Sequence, residues 1–389
     1  MTHEQRFVWL DLARGLCAMA VCAGHLRSAI LMDHASLGAS SWGQKIFYLA
    51  TGFGHQAVMV FFVLSGLFVG GAVLRHRDSF SWQKYSIARL SRLWVVLVPA
   101  LVVTALVDWW ISSHAPGVLA GSHRAVWNSG PSPDEPYSAS LSTALLNLLF
   151  LQTIVAPVFG SNGPLWSLAN EFWYYLLLPL CVLAIGGRAN GNARSLATRI
   201  AMGMLALLVL SWLPSGIRDG YFVWLLGLIV YHFAGRLKPA AARATTASGV
   251  LLFGAALMYS KTGSLQATLA IPADFAVGGT FCLLCIGLVN LRREAVPSWL
   301  AKFAHASSEF SYSLYLLHFP LVMLIATVFY RSGKLPPDAN GLLQFIAWLG
   351  VLLLLGALFW YVFERRTDAI RRWVTLRVER PPLTPRPSP

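Results

Sequence analysis

Residues 141–159, LSTALLNLLFLQTIVAPVF, form an apolar stretch that sets how the chain threads a bilayer. Ten other stretches approach the roughly 20 mostly apolar residues that a spanning helix needs. They are 7–26, 53–74, 93–112, 165–186, 200–214, 221–235, 245–261, 273–290, 310–330 and 342–363. If 141–159 crosses as well, every later loop changes sides. The Lys/Arg bias arbitrates. With ten crossings and a cytoplasmic N-terminus, 22 basic residues fall on the cytoplasmic side and seven outside, while Arg14 lies within the first span. That asymmetry is the positive-inside pattern. An eleventh crossing would move Arg188–Arg199, Arg236–Arg243 and the basic tail outside. The fold expected is therefore all-α: a polytopic membrane helix bundle of about ten transmembrane helices, both ends cytoplasmic, with 141–159 re-entrant or interfacial. Such a segment is tolerated only where protein or a watery cavity satisfies its backbone.

Composition agrees. Of 389 residues, 56% are hydrophobic and 12% charged, with mean hydropathy +0.60. A soluble domain carries roughly 25% charged residues, so this chain lacks the polar groups to cover an aqueous surface. The net charge of +14 reads as cytoplasmic loop anchoring rather than nucleic-acid binding. It also suits anionic lipids or an anionic donor substrate. Cys282 and Cys285 share a CxxC spacing without a second pair, so packing rather than metal is expected. No disulfide framework is visible. Asp11 and Arg14 interrupt the first apolar run, which reads as a retained span rather than a signal peptide. The outer loop 113–140 contains SGPSPDEPYS and serves either as a cover for an outward cavity or as a connector. The expected division is a membrane domain over 1–365 and a basic Pro-rich cytoplasmic tail over 366–389, whose end, PPLTPRPSP, has too little apolar content to fold.

Ionisable residues inside spans ask for a partner or a task. Arg14 and His25 stand eleven residues apart on one helix, roughly 16 Å and three turns, so they share a face. Leu10, Ala18 and Val21 continue that stripe. His25 suits proton transfer near neutral pH, or else anchors the helix at the interface. Asp11 is positioned as a local partner for Arg14. Glu171, in GPLWSLANEFWYYLLLP, either orients His25, holds a substrate hydroxyl, or pairs with Arg14. Trp166, Trp173, Tyr174 and Tyr175 beside it read chiefly as an aromatic belt. His318, in FSYSLYLLHFP, is either a structural histidine or a substrate contact. Ser65 and Gly66 form a small-residue packing face, or give a thin acyl or pantetheine chain room to approach. Arg89 and Arg92 anchor the inner interface or bind donor phosphates. Glu364 and Arg365 read as an interfacial ion pair.

Five segments in order resemble the acyltransferase 3 family of integral membrane acyltransferases. FVWLDLARGLCAMAVCAGH has the family's Arg-x10-His spacing, met by Arg14 and His25. MVFFVLSGLF resembles its Phe-Phe-x-x-Ser-Gly segment, and YSIARLSRLWVVLVP its Arg-rich third-helix start. GPLWSLANEFWYYLLLP matches Trp-Ser-Leu-x-x-Glu, and SYSLYLLHFP matches Tyr-x-x-His-x-Pro. The likeness runs from about residue 7 to 365. The departures are LAN before Glu171, where relatives more often carry a β-branched residue, and an aromatic-rich variant around Trp173; no functional side chain is lost.

The resemblance implies O-acyl transfer from acyl-CoA, with acetyl the default group, to a hydroxyl of a carbohydrate or lipid-linked glycan, as in a surface or exported polysaccharide. A small glycosylated metabolite such as a macrolide is the alternative acceptor, and a lipid-linked-sugar flippase the alternative class. It implies His25 as catalytic base, assisted by Glu171 and Arg14, with Arg89, Arg92, Ser65 and His318 serving donor binding. No metal, tightly bound cofactor or nucleic acid is expected; membrane lipids are. Localisation is expected in a bacterial inner membrane. Some relatives carry an extra extracytoplasmic hydrolase-like domain, for which this chain is expected to be too short.

Overall fold

The computed structural model describes residues 8–124, 127, 129–189, 192–263, 266, 271–291 and 296–378. The Pro-rich end 381–389, with Arg6, Arg292, Arg293 and Arg380, lies outside them. Helix α1 covers Val8–Ile30, α2 Trp42–Ala50 and α3 Gly54–Ser65. A π-helical turn over Gly66–Gly70 leads into α4, Gly71–Arg75. There follow α5 (Trp82–His114), α6 (Pro116–Leu119), α7 (Leu141–Leu148), α8 (Trp166–Ile185), α9 (Leu196–Trp212), α10 (Ser215–Phe233) and α11 (Pro239–Tyr259). The chain continues through α12 (Ala273–Asn290), α13 (Ser298–Glu309), α14 (Ser311–Phe329), α15 (Ala339–Val362) and α16 (Thr367–Val378). Strand pairing among the described residues comprises a two-residue ladder, Arg188–Ala189 with Asn192–Ala193, and three isolated bridges, Leu31 with Leu335, Ser138 with Phe159 and Gln152 with Ala156.

All ten expected spans are helices, and the chain is a multi-pass membrane protein. Seven helices among the described residues qualify by length and apolarity alone. The other three fall short for visible reasons. α1 carries Asp11 and Arg14, α10 carries Arg218 and Asp219, and α9 has only 17 residues. Their apolar faces are completed by tertiary packing: α1 lies against α3, α13 and α14, and α10 against α3 and α12. One end of the bundle, which we call the basic end, bears Arg75, Lys84, Arg199, Arg236 and Lys238. Ser308, just before α14, donates to Asp11 near the start of α1, and Glu364 just after α15 accepts from Ser313. The start of α1 and the finish of α15 therefore lie at this same end.

Residues 141–159 dip into the bundle and return. Ser140 Oγ caps α7 by accepting from the Thr143 amide (3.2 Å). At its far end the Leu148 carbonyl accepts from Trp94 Nε1 (2.9 Å). The chain then climbs back to Asp108, whose carboxylate accepts from the Ser161 amide (2.7 Å) and hydroxyl (2.6 Å). Trp94 and Asp108 are fourteen residues apart on α5, about 20 Å of rise. Side chains replace the missing backbone partners on the return. Asn147 donates to the Thr143 and Pro157 carbonyls and accepts from the Phe159 amide, while Gln152 donates to Leu165 O. Phe150 and Thr153 are held in the left-handed region, at φ 59° and 64°. This is a re-entrant segment, and the protein satisfies its backbone.

Two local readings change. Tyr174 and Tyr175 are buried rather than belt-forming, because their hydroxyls find polar partners inside: Tyr174 donates to Ile217 O and Tyr175 to Glu171. Glu364 does not pair with Arg365. Its Oε2 accepts from the Ser313 amide (3.1 Å) and hydroxyl (2.6 Å), an anion at the N-terminus of α14. Arg365 lies instead over Tyr361, 5.1 Å from the ring centre.

Candidate active site

The cavity that gathers most of the singled-out residues has a volume of about 400 Å³ and opens at the basic end, where the exposed Asp368 and Arg371 line it. Arg14, Ser65, Arg89, Arg92 and Glu171 all contribute to its wall. α1 supplies Arg14, α3 supplies Ser65 at its last residue, α5 supplies both other arginines, and α8 supplies Glu171. The π-helical turn starts immediately after Ser65, and such turns concentrate at functional sites.

Each arginine rests on an aromatic face. Arg14 lies 5.2 Å from the Phe68 ring centre, Arg89 lies 5.7 Å from Tyr85 and 5.9 Å from Tyr175, and Arg92 lies 5.9 Å from Tyr312. These contacts hold the cations without neutralising them. Arg14 also donates to Ser308 Oγ (3.2 Å), which donates in turn to Asp11 (3.1 Å). The Arg14–Asp11 partnership is thus bridged by a hydroxyl from another helix. The carboxylates of Glu171 and Glu364 lie in the field of Arg92. Arg89 Nε is buried without a hydrogen-bond partner.

Glu171 Oε1 accepts from Ser65 Oγ (2.8 Å) and from the Tyr175 hydroxyl, one helical turn on. Trp224 Nε1 donates to Ser65 Oγ (3.1 Å), tying α10 into the same knot. Of the three candidate partners for Glu171, His25 is not reached, because Glu171 lines the cavity while His25 lies outside its lining, behind Tyr315 and His318.

His25 lies outside the lining of this cavity. The cavity ends on Tyr315, whose hydroxyl meets Ser167 Oγ (2.7 Å) and donates to Pro164 O (3.3 Å). Behind Tyr315, with ring centres 5.9 Å apart, stands His318, and His25 follows 5.4 Å beyond it. The first helix therefore presents Arg14 to the cavity and His25 to a second, imidazole-rich layer. The roughly 16 Å between them on the helix exceeds what one set of contacts can join. His318 is buried, and its Nδ1 contacts the Leu314 (3.1 Å) and Tyr315 (2.8 Å) carbonyls. Two carbonyl acceptors fix the proton on Nδ1, leaving Nε2 as a buried acceptor with no partner. Phe319 packs edge-on against His25 (4.9 Å), and Trp127 from the loop after α6 stacks on Phe319 (5.7 Å). That loop thus covers the imidazole layer from the opposite end. Tyr137 pins it to Asp108 (3.1 Å), and burial and the nearby carboxylate push the Tyr137 phenol up.

The family model described as an acyltransferase domain, of the acyltransferase 3 type, matches residues 7–365. The chain belongs to that family. It is a membrane acyltransferase, and the transporter reading falls away. No curated protein and no solved structure matches the chain.

Several residues that line or brace this cavity escaped the sequence reading. Tyr85 and Tyr175 lie four residues from Arg89 and Glu171, a helical spacing that could have paired them. Ser308 and Trp224 carried no local signal, since they arrive from distant helices. Thr367, Asp368 and Arg371 on α16 line the cavity although they follow the stretch that the family model matches.

Proposed function

We propose that this acyltransferase moves an acyl group, acetyl in the simplest case, from acyl-CoA to a sugar hydroxyl in a cell-surface or exported polysaccharide. The observation that carries the reading is the layering of a basic cavity, a tyrosine and two imidazoles along one path through the bundle. In a bacterial inner membrane with positive-inside orientation, the basic end faces the cytoplasm, where acyl-CoA is made. A cavity of about 400 Å³ takes the acyl end and pantetheine arm, leaving the nucleotide phosphates to Arg89 and Arg92 near the mouth. Arg14, in the same cavity, grips the donor rather than the reacting carbonyl. Glu171 Oε1 is engaged by Ser65 and Tyr175, so Oε2 is the atom available to a pantetheine amide N–H.

The acceptor approaches from the opposite end, beneath the loop that carries Trp127. Its reacting hydroxyl donates to His25, which takes the proton as the oxygen attacks the thioester carbonyl, while the orphan Nε2 of His318 accepts from a neighbouring hydroxyl of the sugar. The new C–O bond forms as the C–S bond breaks, and the His25 imidazolium returns its proton to the departing thiolate. Donor and acceptor meet at the imidazole layer behind Tyr315, so acyl-CoA itself never has to leave the inner side.

The test is transfer by the reconstituted full chain with labelled acetyl-CoA and surface glycan. His25→Ala is expected to abolish product while leaving thermal unfolding unchanged; continued turnover overturns the role of His25. Arg92→Gln is expected to raise the half-saturating donor concentration about tenfold, the effect of losing one charge-assisted hydrogen bond. An unchanged value refutes the phosphate assignment.

A further inference from the structure

A second concavity lies on the outer surface of the bundle, between α5, the end of α15 and the start of α16. Its volume is about 630 Å³, and Trp94, Val98, Val102, Phe363, Arg366 and Ile370 are among the residues that line it. Trp94, Val98 and Val102 follow one another at four-residue spacing and all face outward, so they make a single apolar stripe on α5. The groove runs along this stripe for eight residues, about 12 Å. In a bilayer such a dry, apolar concavity is filled by a hydrocarbon chain.

The charge at its rim selects the chain's headgroup. Arg366 is the single charged residue in the lining. It is exposed, and among the described residues its guanidinium has neither an ion pair nor a hydrogen bond. From Glu364 to Val378 there are five arginines against two acidic residues. Arg371 is matched locally by Asp368 at 3.1 Å. The surplus therefore sits on the groove side and along α16, where Ile370, Trp373 and Leu376 are exposed. Exposed apolar residues alternating with arginines on one short helix are the pattern of an element lying in the membrane interface.

We propose that this groove is a binding site for an anionic phospholipid, with one acyl chain along Trp94–Val102 and the headgroup phosphate on Arg366. A zwitterionic lipid would bring its own cation beside Arg366, whereas an anionic lipid neutralises it. Helix α16 and the turn before it separate lipid from cavity: Arg366 and Ile370 border the groove, while Thr367, Asp368 and Arg371 border the donor cavity. The lipid therefore braces the wall of the active-site mouth. This inference needs only the membrane setting and stands apart from the assignment of the acceptor.

The experiment uses the full chain in nanodiscs containing a phosphatidylglycerol or a phosphatidylcholine analogue with a photoreactive diazirine on one acyl chain. Peptide mapping reads the labelled sites. The anionic analogue is expected to label residues 94–103 and 362–370 about fivefold more than the zwitterionic one, the ratio for one surface arginine. Arg366→Gln should erase that preference. Val98→Trp, which fills the groove, should reduce labelling by both analogues. Equal labelling by the two analogues, or an unchanged ratio in Arg366→Gln, overturns the headgroup assignment. Displacement of the label by a polyprenyl phosphate but not by phosphatidylglycerol overturns the phospholipid and gives the groove to a lipid-linked acceptor.

Discussion

Adding one methyl group at Gly66 tests how the wall of the candidate active site is held together. Gly66 begins the π-helical turn after Ser65 and meets α10 backbone to backbone. A Cβ there would stand 3.0 Å from the carbonyl carbon of Trp224 and 3.3 Å from Gly227 Cα, and closer still to the Trp224 oxygen. From the other side, a Cβ on Gly227 would come 2.5 Å from the Gly66 carbonyl carbon. Backbone cannot rotate aside as a long side chain can, so in Gly66→Ala the two helices must part by about 1 Å. Overpacking of this kind costs about 1–3 kcal/mol. The Trp224–Ser65 hydrogen bond, at 3.1 Å, stretches with it, adding about 1 kcal/mol. The expected loss is then about 2–4 kcal/mol. Because Ser65 holds Glu171, a shift of about 1 Å at the cavity wall should lower turnover by about two orders of magnitude. Unfolding can be followed in detergent with a thiol-reactive fluorophore, since Cys22, Cys282 and Cys285 are buried until the bundle opens. Gly279→Ala on α12 is the control, with nothing within 4 Å of its added Cβ; it should stay within about 0.5 kcal/mol of the parent. If Gly66→Ala melts and turns over like Gly279→Ala, the close crossing of α3 and α10 does not position the site.

Asp108→Ala leaves the Ser161 amide, the Ser161 hydroxyl and the Tyr137 hydroxyl without their acceptor. A loss of about 3 kcal/mol and faster proteolysis of residues 149–162 are expected; unchanged cleavage would show the re-entrant segment is held elsewhere. Glu364→Ala removes the acceptor for the Ser313 amide and hydroxyl and should cost about 2 kcal/mol. Because it also frees Arg92 from a carboxylate, the half-saturating donor concentration should not rise, and a clear rise would place Glu364 in donor binding. Arg371→Gln should weaken donor binding at low salt and lose that effect at high salt, as expected of a charge at a solvated mouth. A salt-independent defect would mean that Arg371 acts by packing.

Part of the site was legible early because charge inside an apolar run stands out without any knowledge of its partners. Arg14 and His25, Arg89 and Arg92, and Glu171 are ionisable groups in apolar runs, and hydropathy alone exposes them. The failure of 141–159 to cross was also legible, because the Lys/Arg asymmetry is a sum over many loops and survives errors at any one of them. The same patterns misled where a partner was needed to give a residue meaning. Tyr174 and Tyr175 look like interfacial aromatics until Ile217 O and Glu171 are found beside their hydroxyls. Glu364 looks like the partner of Arg365 until the start of α14 arrives next to it.

Sequence by itself determined the ten apolar spans and the list of costly polar groups, since burial of apolar runs and exclusion of charge from lipid act along a single chain. The short helices Trp42–Ala50, Ser298–Glu309 and Thr367–Val378 came only with the structure. Only the tertiary structure decided that Arg14 lines the cavity while His25 lies outside its lining, with Tyr315 and His318 standing between. It also decided that Glu171 answers to Ser65 and Tyr175 and that α16 returns to wall the cavity. Those outcomes depend on which distant backbones approach closely enough to share a hydrogen bond, and no local spacing encodes that approach.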